Sequence, residues 1–197
     1  MFGFGKTKSV EVMISEATTV GLALRPGVSL DQLFAEWPRE KIEADGFELL
    51  MCAMGGEPFD PATFKPLEPF CDDVWHFDTE AIEDQGAYKR IIDNCCRLTG
   101  GDLNFERVVD FVDVTENTAW AEITNAGETQ RIEFKVDNDW VDEKVFDEID
   151  RRLELSGSAR RLASHGLGQD VLLICKTPAQ TKAINNVLGL KFRKLKM

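Results

Sequence analysis

Three consecutive stretches with a two-residue period, 108–114, 118–124 and 130–136, constrain this chain more than any other feature. In the last of them Ile132, Phe134 and Val136 point one way and Arg131, Glu133 and Lys135 the other, as in a strand with one buried face. Asn125-Ala-Gly127 supplies turn chemistry between the second and third stretches, so the sequence predicts a hairpin there. Helical patterns lie on either side. Tyr88, Ile91, Ile92, Cys95 and Leu98 recur at helical spacing before Gly100-Gly101. Val145, Phe146, Ile149 and Leu153 form the inner face of a helix over 141–155, stopped by Gly157. Hairpins mixed with isolated helices indicate an α+β fold, not a doubly wound sheet.

Two capping boxes add helix starts. Ser29-Leu-Asp-Gln32 opens a helix carrying Leu30, Leu33, Phe34 and Trp37, which Pro38 closes. Thr177-Pro-Ala-Gln180 places Thr at the cap, Pro in the first turn and Gln at the third position, ahead of Ala183, Ile184, Val187 and Leu188. Before it, 160–165 and 171–175 read as a strand pair around Gly166-Leu-Gly168. Residues 191–195 read as an edge strand whose basic residues discourage aggregation. The runs 10–14 and 47–54 (FELLMCAM) read as strands, and 74–77 as a second central strand. Four prolines make 57–69 the longest irregular stretch, a surface crossover or a lid. The expected architecture is a mixed or largely antiparallel sheet with about four helices. Residues 1–9 form a flexible lead-in and 10–197 a single domain, with a division into two lobes near residue 100 as the alternative.

A chain of 197 residues, 43% hydrophobic with 13 Phe and 4 Trp, can bury a core without staples. Its net charge of -12 disfavours nucleic acid, and no apolar run approaches the length of a membrane span. The charge is unevenly placed. Residues 1–8 carry two positive charges and 191–197 carry four, whereas 72–84 holds six acids and no Lys or Arg. Residues 137–150 hold seven acids against Lys144 alone. Acids favour helix starts and turns, so part of this excess is structural. The functional reading is an acidic surface that captures a basic protein partner. Its candidate contacts are Asp72, Asp73, Trp75, Asp78, Glu80, Asp139, Trp140 and Asp142, two tryptophans each set against an acidic cluster. Five cysteines without paired spacing and the lack of a secretory leader suit a reducing cytoplasm.

Catalytic motifs do not emerge. His76, Asp78 and Glu80 alternate as they would on one face of an extended strand, a set that suits a divalent metal. His165 is the only other histidine, in a Gly-rich turn. A metal-dependent hydrolase or another small-molecule enzyme around His76, Asp78 and Glu80 is therefore the alternative reading. Cys71 or Cys175 beside a histidine is a further option, against the commoner role of buried cysteine as a small hydrophobe. No nucleophile elbow, phosphate loop or dinucleotide fingerprint occurs, and no cofactor is implied.

The segments 75–84 (WHFDTEAIED), 168–180 (GQDVLLICKTPAQ) and 189–192 (GLKF) resemble a small family of uncharacterised bacterial proteins. The resemblance spans most of the chain, rests on structural motifs and carries over no site residues. In general character the chain is also similar to small acidic immunity proteins. That likeness implies a bacterial, cytoplasmic origin; the concentrated charge and the missing catalytic motifs make a protein-binding module of immunity or adaptor type the leading reading.

Overall fold

The computed structural model describes residues 8–60, 62–63 and 65–195. Residues 1–7 of the expected lead-in lie outside the described residues. Seven helices and seven strands occur among those described, in an α+β arrangement of two antiparallel sheets. Helices α1 (Val10–Thr19), α2 (Leu30–Glu36), α3 (Arg39–Asp45) and α4 (Phe47–Gly55) come first, followed by strand β1 (Trp75–Asp78) and helix α5 (Ala87–Leu98). Strands β2 (Arg107–Asp113), β3 (Thr118–Asn125) and β4 (Glu128–Phe134) form the expected meander. The chain ends with α6 (Lys144–Leu155), β5 (Arg161–Gly166), β6 (Asp170–Lys176), α7 (Pro178–Leu188) and β7 (Arg193–Lys194). The larger sheet has the order β1-β6-β5-β7.

That sheet lies between two cores. On one face Trp75, Phe77, Val171, Leu173, Cys175 and Leu162 pack with the inner faces of α5, α6 and the three-stranded sheet. On the other, Val74, Leu172, Ile174 and Ala163 pack with residues of α1 to α4 and α7. Strand β6 is buried almost throughout as a result.

The turn at Asn125-Ala-Gly127 is a two-residue loop, since Asn125 pairs with Glu128. Both loop residues have positive φ, 51° at Ala126 and 75° at Gly127, which matches the twist of the strands they join. Both capping boxes form, with Gln32 and Gln180 reaching back to the cap amides. In α7 only Ile184 and Leu188 are buried, while Ala183 and Val187 face outward. The basic segment at the C-terminal end pairs with β5 over two residues and forms the sheet edge.

Two expected strands are helices. Residues 10–14 belong to α1, whose buried positions Val10, Met13 and Ala17 follow helical spacing and whose start is capped by Ser9. Residues 47–54 lie in α4, where every residue from Leu50 to Gly55 is buried. An apolar run of that length has no period to read when all of its sides are covered. Gly55 lets α4 press against β1, because a Cβ there would lie 2.7 Å from the His76 backbone nitrogen. Strand β1 is correspondingly an edge strand and not a central one.

The Pro-rich crossover is tied down at several points. Asp60 N–H donates to the Lys65 carbonyl (2.9 Å) and Leu67 N–H to that of Pro58 (2.8 Å). Glu57 accepts hydrogen bonds from Arg90 and Asn94 of α5. Burial pushes the Glu57 carboxyl up, but Arg90 and Asn94 outweigh it and hold the group below its ordinary range.

Helix α5 has no cap from its own sequence, since Gly86 precedes it. Asp110 of β2 supplies one from across the core. Its buried carboxylate accepts the N–H groups of Gly86 (3.0 Å), Tyr88 (3.0 Å) and Lys89 (3.2 Å). A negative charge at this end also meets the positive pole of the helix. Replacing Asp110 with Ala leaves several donors unmet. It should lower unfolding free energy by about 2 kcal/mol or more, measured by urea denaturation, with Asn retaining part of the loss.

Candidate functional site

Strand β1 separates the acids of 72–84 into two groups. Asp72 and Asp73 precede it, and Asp78 ends it. Asp72 lies 3.3 Å from Arg25. Asp73 accepts the Lys176 ammonium at 2.6 Å and the Ala23 N–H at 3.3 Å, so it faces the protein and not a partner. Lys176 is buried, and Asp73 is its one ion-pair partner among the described residues. Trp75 is fully buried at 0% exposure, its ring centroid 4.5 Å from that of Phe77. It therefore cannot serve as the surface anchor expected from its acidic neighbours.

The second group converges with part of 137–150. Glu80 and Trp140 form an isolated antiparallel bridge. The Val141 N–H donates to the Thr79 carbonyl and the Ile82 N–H to that of Asp139, both at 2.9 Å. The two acidic segments are thus joined backbone to backbone at this point. Gln169 clamps Asp78 (3.1 Å) and Glu80 (2.7 Å) through its amide. Asp170, which the charge pattern had not singled out, stands directly across the β1–β6 ladder from Asp78. Asp78, Glu80, Glu83 and Asp84 line a shallow hollow of about 370 Å³. Desolvation, then the charges of Asp139 and Asp78, raise the Glu80 carboxyl above its ordinary range. Trp140 is 44% exposed beside this group.

Three further acids of 137–150 have structural work. Asp142 accepts the N–H groups of Lys135 (2.6 Å) and Lys144 (2.9 Å) where α6 begins. Glu148 pairs with Arg151 and Arg152, and Asp150 accepts the Leu162 N–H at 2.8 Å. Of the expected contacts, Asp78, Glu80, Asp139 and Trp140 therefore share one surface. Asp72 and Asp73 lie beyond the other end of β1, and Asp142 is a helix-start residue.

The histidines lie in one row across the larger sheet. His76 and His165 are both register partners of Leu172, one on each side, and strand spacing puts them roughly 10 Å apart at the backbone. Each faces its own carboxylate. His76 Nε2 is 3.7 Å from Asp170, and His165 Nε2 is 3.0 Å from Glu48 of α4. His165 Nδ1 accepts the Lys191 N–H at 3.1 Å, so Nε2 carries the proton that Glu48 accepts. His76, Asp78 and Glu80 are thus divided between separate contacts. No group of three His, Cys, Asp or Glu side chains is placed to hold a metal among the described residues. Burial raises the thiols of Cys52, Cys96 and Cys175 to about 12 and that of Cys71 to about 11, which suits packing and not nucleophilic attack. No described helix is long and apolar enough to cross a membrane.

Comparison with known proteins adds no family: no family model, curated protein or solved structure matches the chain.

Two outcomes follow for the carboxylates. Asp73→Ala strands a buried ammonium and should cost about 3–5 kcal/mol in urea denaturation, whereas Lys176→Met should cost far less. Glu80 binds its proton more tightly in the folded state than in the unfolded chain, so its ionisation works against folding at neutral pH. Glu80→Gln should therefore raise the thermal midpoint slightly at neutral pH. That gain should vanish as the pH falls through the raised pKa, where wild-type Glu80 becomes neutral.

Proposed function

We propose that this chain is a protein-binding module of immunity or adaptor type, whose acidic face captures a partner with a basic surface. The observation that supports it is the backbone bridge between Glu80 and Trp140, which brings Asp139 and the exposed Trp140 beside the hollow lined by Asp78, Glu80, Glu83 and Asp84. Carboxylates concentrated in this way raise the local potential and accelerate encounter with a cation-rich surface. An exposed tryptophan at the margin supplies the apolar contact that long-range charge does not. The hydrolase reading has less behind it, since His76 and His165 each face a separate carboxylate.

The test is capture from a bacterial lysate with wild-type protein and with Asp78→Lys/Glu83→Lys, followed by stopped-flow kinetics on the captured partner. A partner with a basic surface should be retained by the wild type and lost by the charge-reversed variant. Its association rate should fall steeply with added salt while dissociation changes little. Equal capture by both proteins, or an association rate indifferent to salt, overturns the reading.

A further inference from the structure

The second charged region of the molecule has the opposite sign and borders a larger cavity. One face of β5 and β6 is covered by α6 near Leu162 but opens beyond it at Ser164, Gly166 and Val171. These residues form the floor of a groove of about 830 Å³, within the range of small-molecule sites. Trp140 and Val141 form one wall. Lys191, Arg193 and Lys194 form the other.

Strand alternation shows which basic side chains serve the groove. Arg193 is the register partner of Ser164, and paired residues project from the same face. Lys191 and Leu195 share that face by the two-residue period, and Leu195 packs against the same core as Leu162. Phe192, between them, packs into the opposite core. Its backbone N–H and carbonyl are both taken by the Asn185 side chain at 2.8 Å. That pairing closes this part of the outer edge to an added strand, so the groove and not the edge is the open surface.

Lys191, Arg193 and Lys194 make no ion pair among the described residues, although the chain has 35 acids. Glu143 stands on the Trp140 side, so the groove is polarised, with its anion-attracting side at β7. The floor is open as well. A Cβ built on Gly166 meets nothing within 4 Å, and Gly166 has no positive φ.

We infer that this groove binds a small organic anion with a flat apolar body. Its anionic group sits against Lys191 and Arg193, and its ring system lies between Trp140, Val141 and Val171. A charge-assisted contact to the guanidinium orients the ligand, and the indole and valines supply the buried apolar area. The groove shares Trp140 with the margin of the acidic face, but its ligand carries the opposite charge to that face's proposed partner.

The experiment titrates full-length protein with anilinonaphthalene sulfonate, an aromatic anion. Phenylnaphthylamine, which has the same ring system without the sulfonate, is the control. Wild type should bind one equivalent of the sulfonate saturably and the neutral compound about tenfold or more weakly. Arg193→Glu should weaken sulfonate binding by a similar factor. Gly166→Leu fills the floor without backbone strain and should abolish binding while leaving the urea midpoint near that of wild type. Equal affinity for the two compounds, no saturable binding by wild type, or undiminished binding by both folded variants overturns the inference.

Discussion

Strand β6 carries the architecture because it is buried on both faces. Val171, Leu173 and Cys175 belong to one core and Leu172 and Ile174 to the other, each aliphatic side chain contributing roughly 1.5–3 kcal/mol of transfer free energy. Such a strand gains stability from both layers but loses the usual guide to register. A one-residue slip normally exchanges a buried apolar face for a wet polar one, and here both faces are apolar. The polar residue at the end of the strand supplies the missing specification. Lys176 reaches Asp73 at 2.6 Å, and a slip would turn its ammonium to the opposite face, away from that carboxylate. The buried ion pair thus distinguishes the native register from a one-residue slip, which two apolar faces do not.

The same double burial decided what the sequence could disclose. The meander was legible because β2 to β4 alternate, and α5 and α6 because their inner faces repeat at helical spacing above polar outer faces. Both capping boxes were legible because hydrogen-bonding side chains mark them locally. Helix α4 was not, since it is apolar over all of its covered sides, and a run of that length fits a buried strand equally well. Helix α1 was hidden by the alternating VEVMI at its start, which masks the helical spacing of Val10, Met13 and Ala17. The cap on α5 lies 24 residues from the Gly86 amide it meets, and no local pattern can announce it.

The candidate surfaces divide along the same line. The meeting of Asp78 and Glu80 with Asp139 and Trp140 depends on a backbone bridge between distant segments, so composition could supply its members but not their union. Trp75 shows the converse. Its acidic neighbours suggested a surface anchor, but Val74 and Phe77 belong to the sheet interior and Trp75 shares their burial. Lys191 and Arg193 were legible as basic residues of an edge strand. Their place on a groove became visible only through the pairing of Arg193 with Ser164.

Net charge is a poor guide to function in this molecule until the structural acids are set aside. Asp110 and Asp142 receive backbone amides at helix starts, Asp150 fixes the entry to β5, Asp73 meets Lys176, and Glu57 and Glu148 hold arginines. Each of these carboxylates has its favourable contacts inside the fold, so none gains much from an external cation. Asp78 and Glu80 are in a different position. They accept hydrogen bonds from Gln169 and, at Asp78, from the Glu80 amide, but no cationic side chain among the described residues pairs with either. The raised carboxyl of Glu80 reflects desolvation first and then the neighbouring charges of Asp139 and Asp78. The fold keeps these groups together through main-chain hydrogen bonds at Thr79 and Ile82 that do not involve the carboxylates themselves. The backbone that sets the spacing of Asp78 and Glu80 is thus held by main-chain bonds, while their carboxylates have only the Gln169 amide and the Glu80 N–H as polar partners among the described residues.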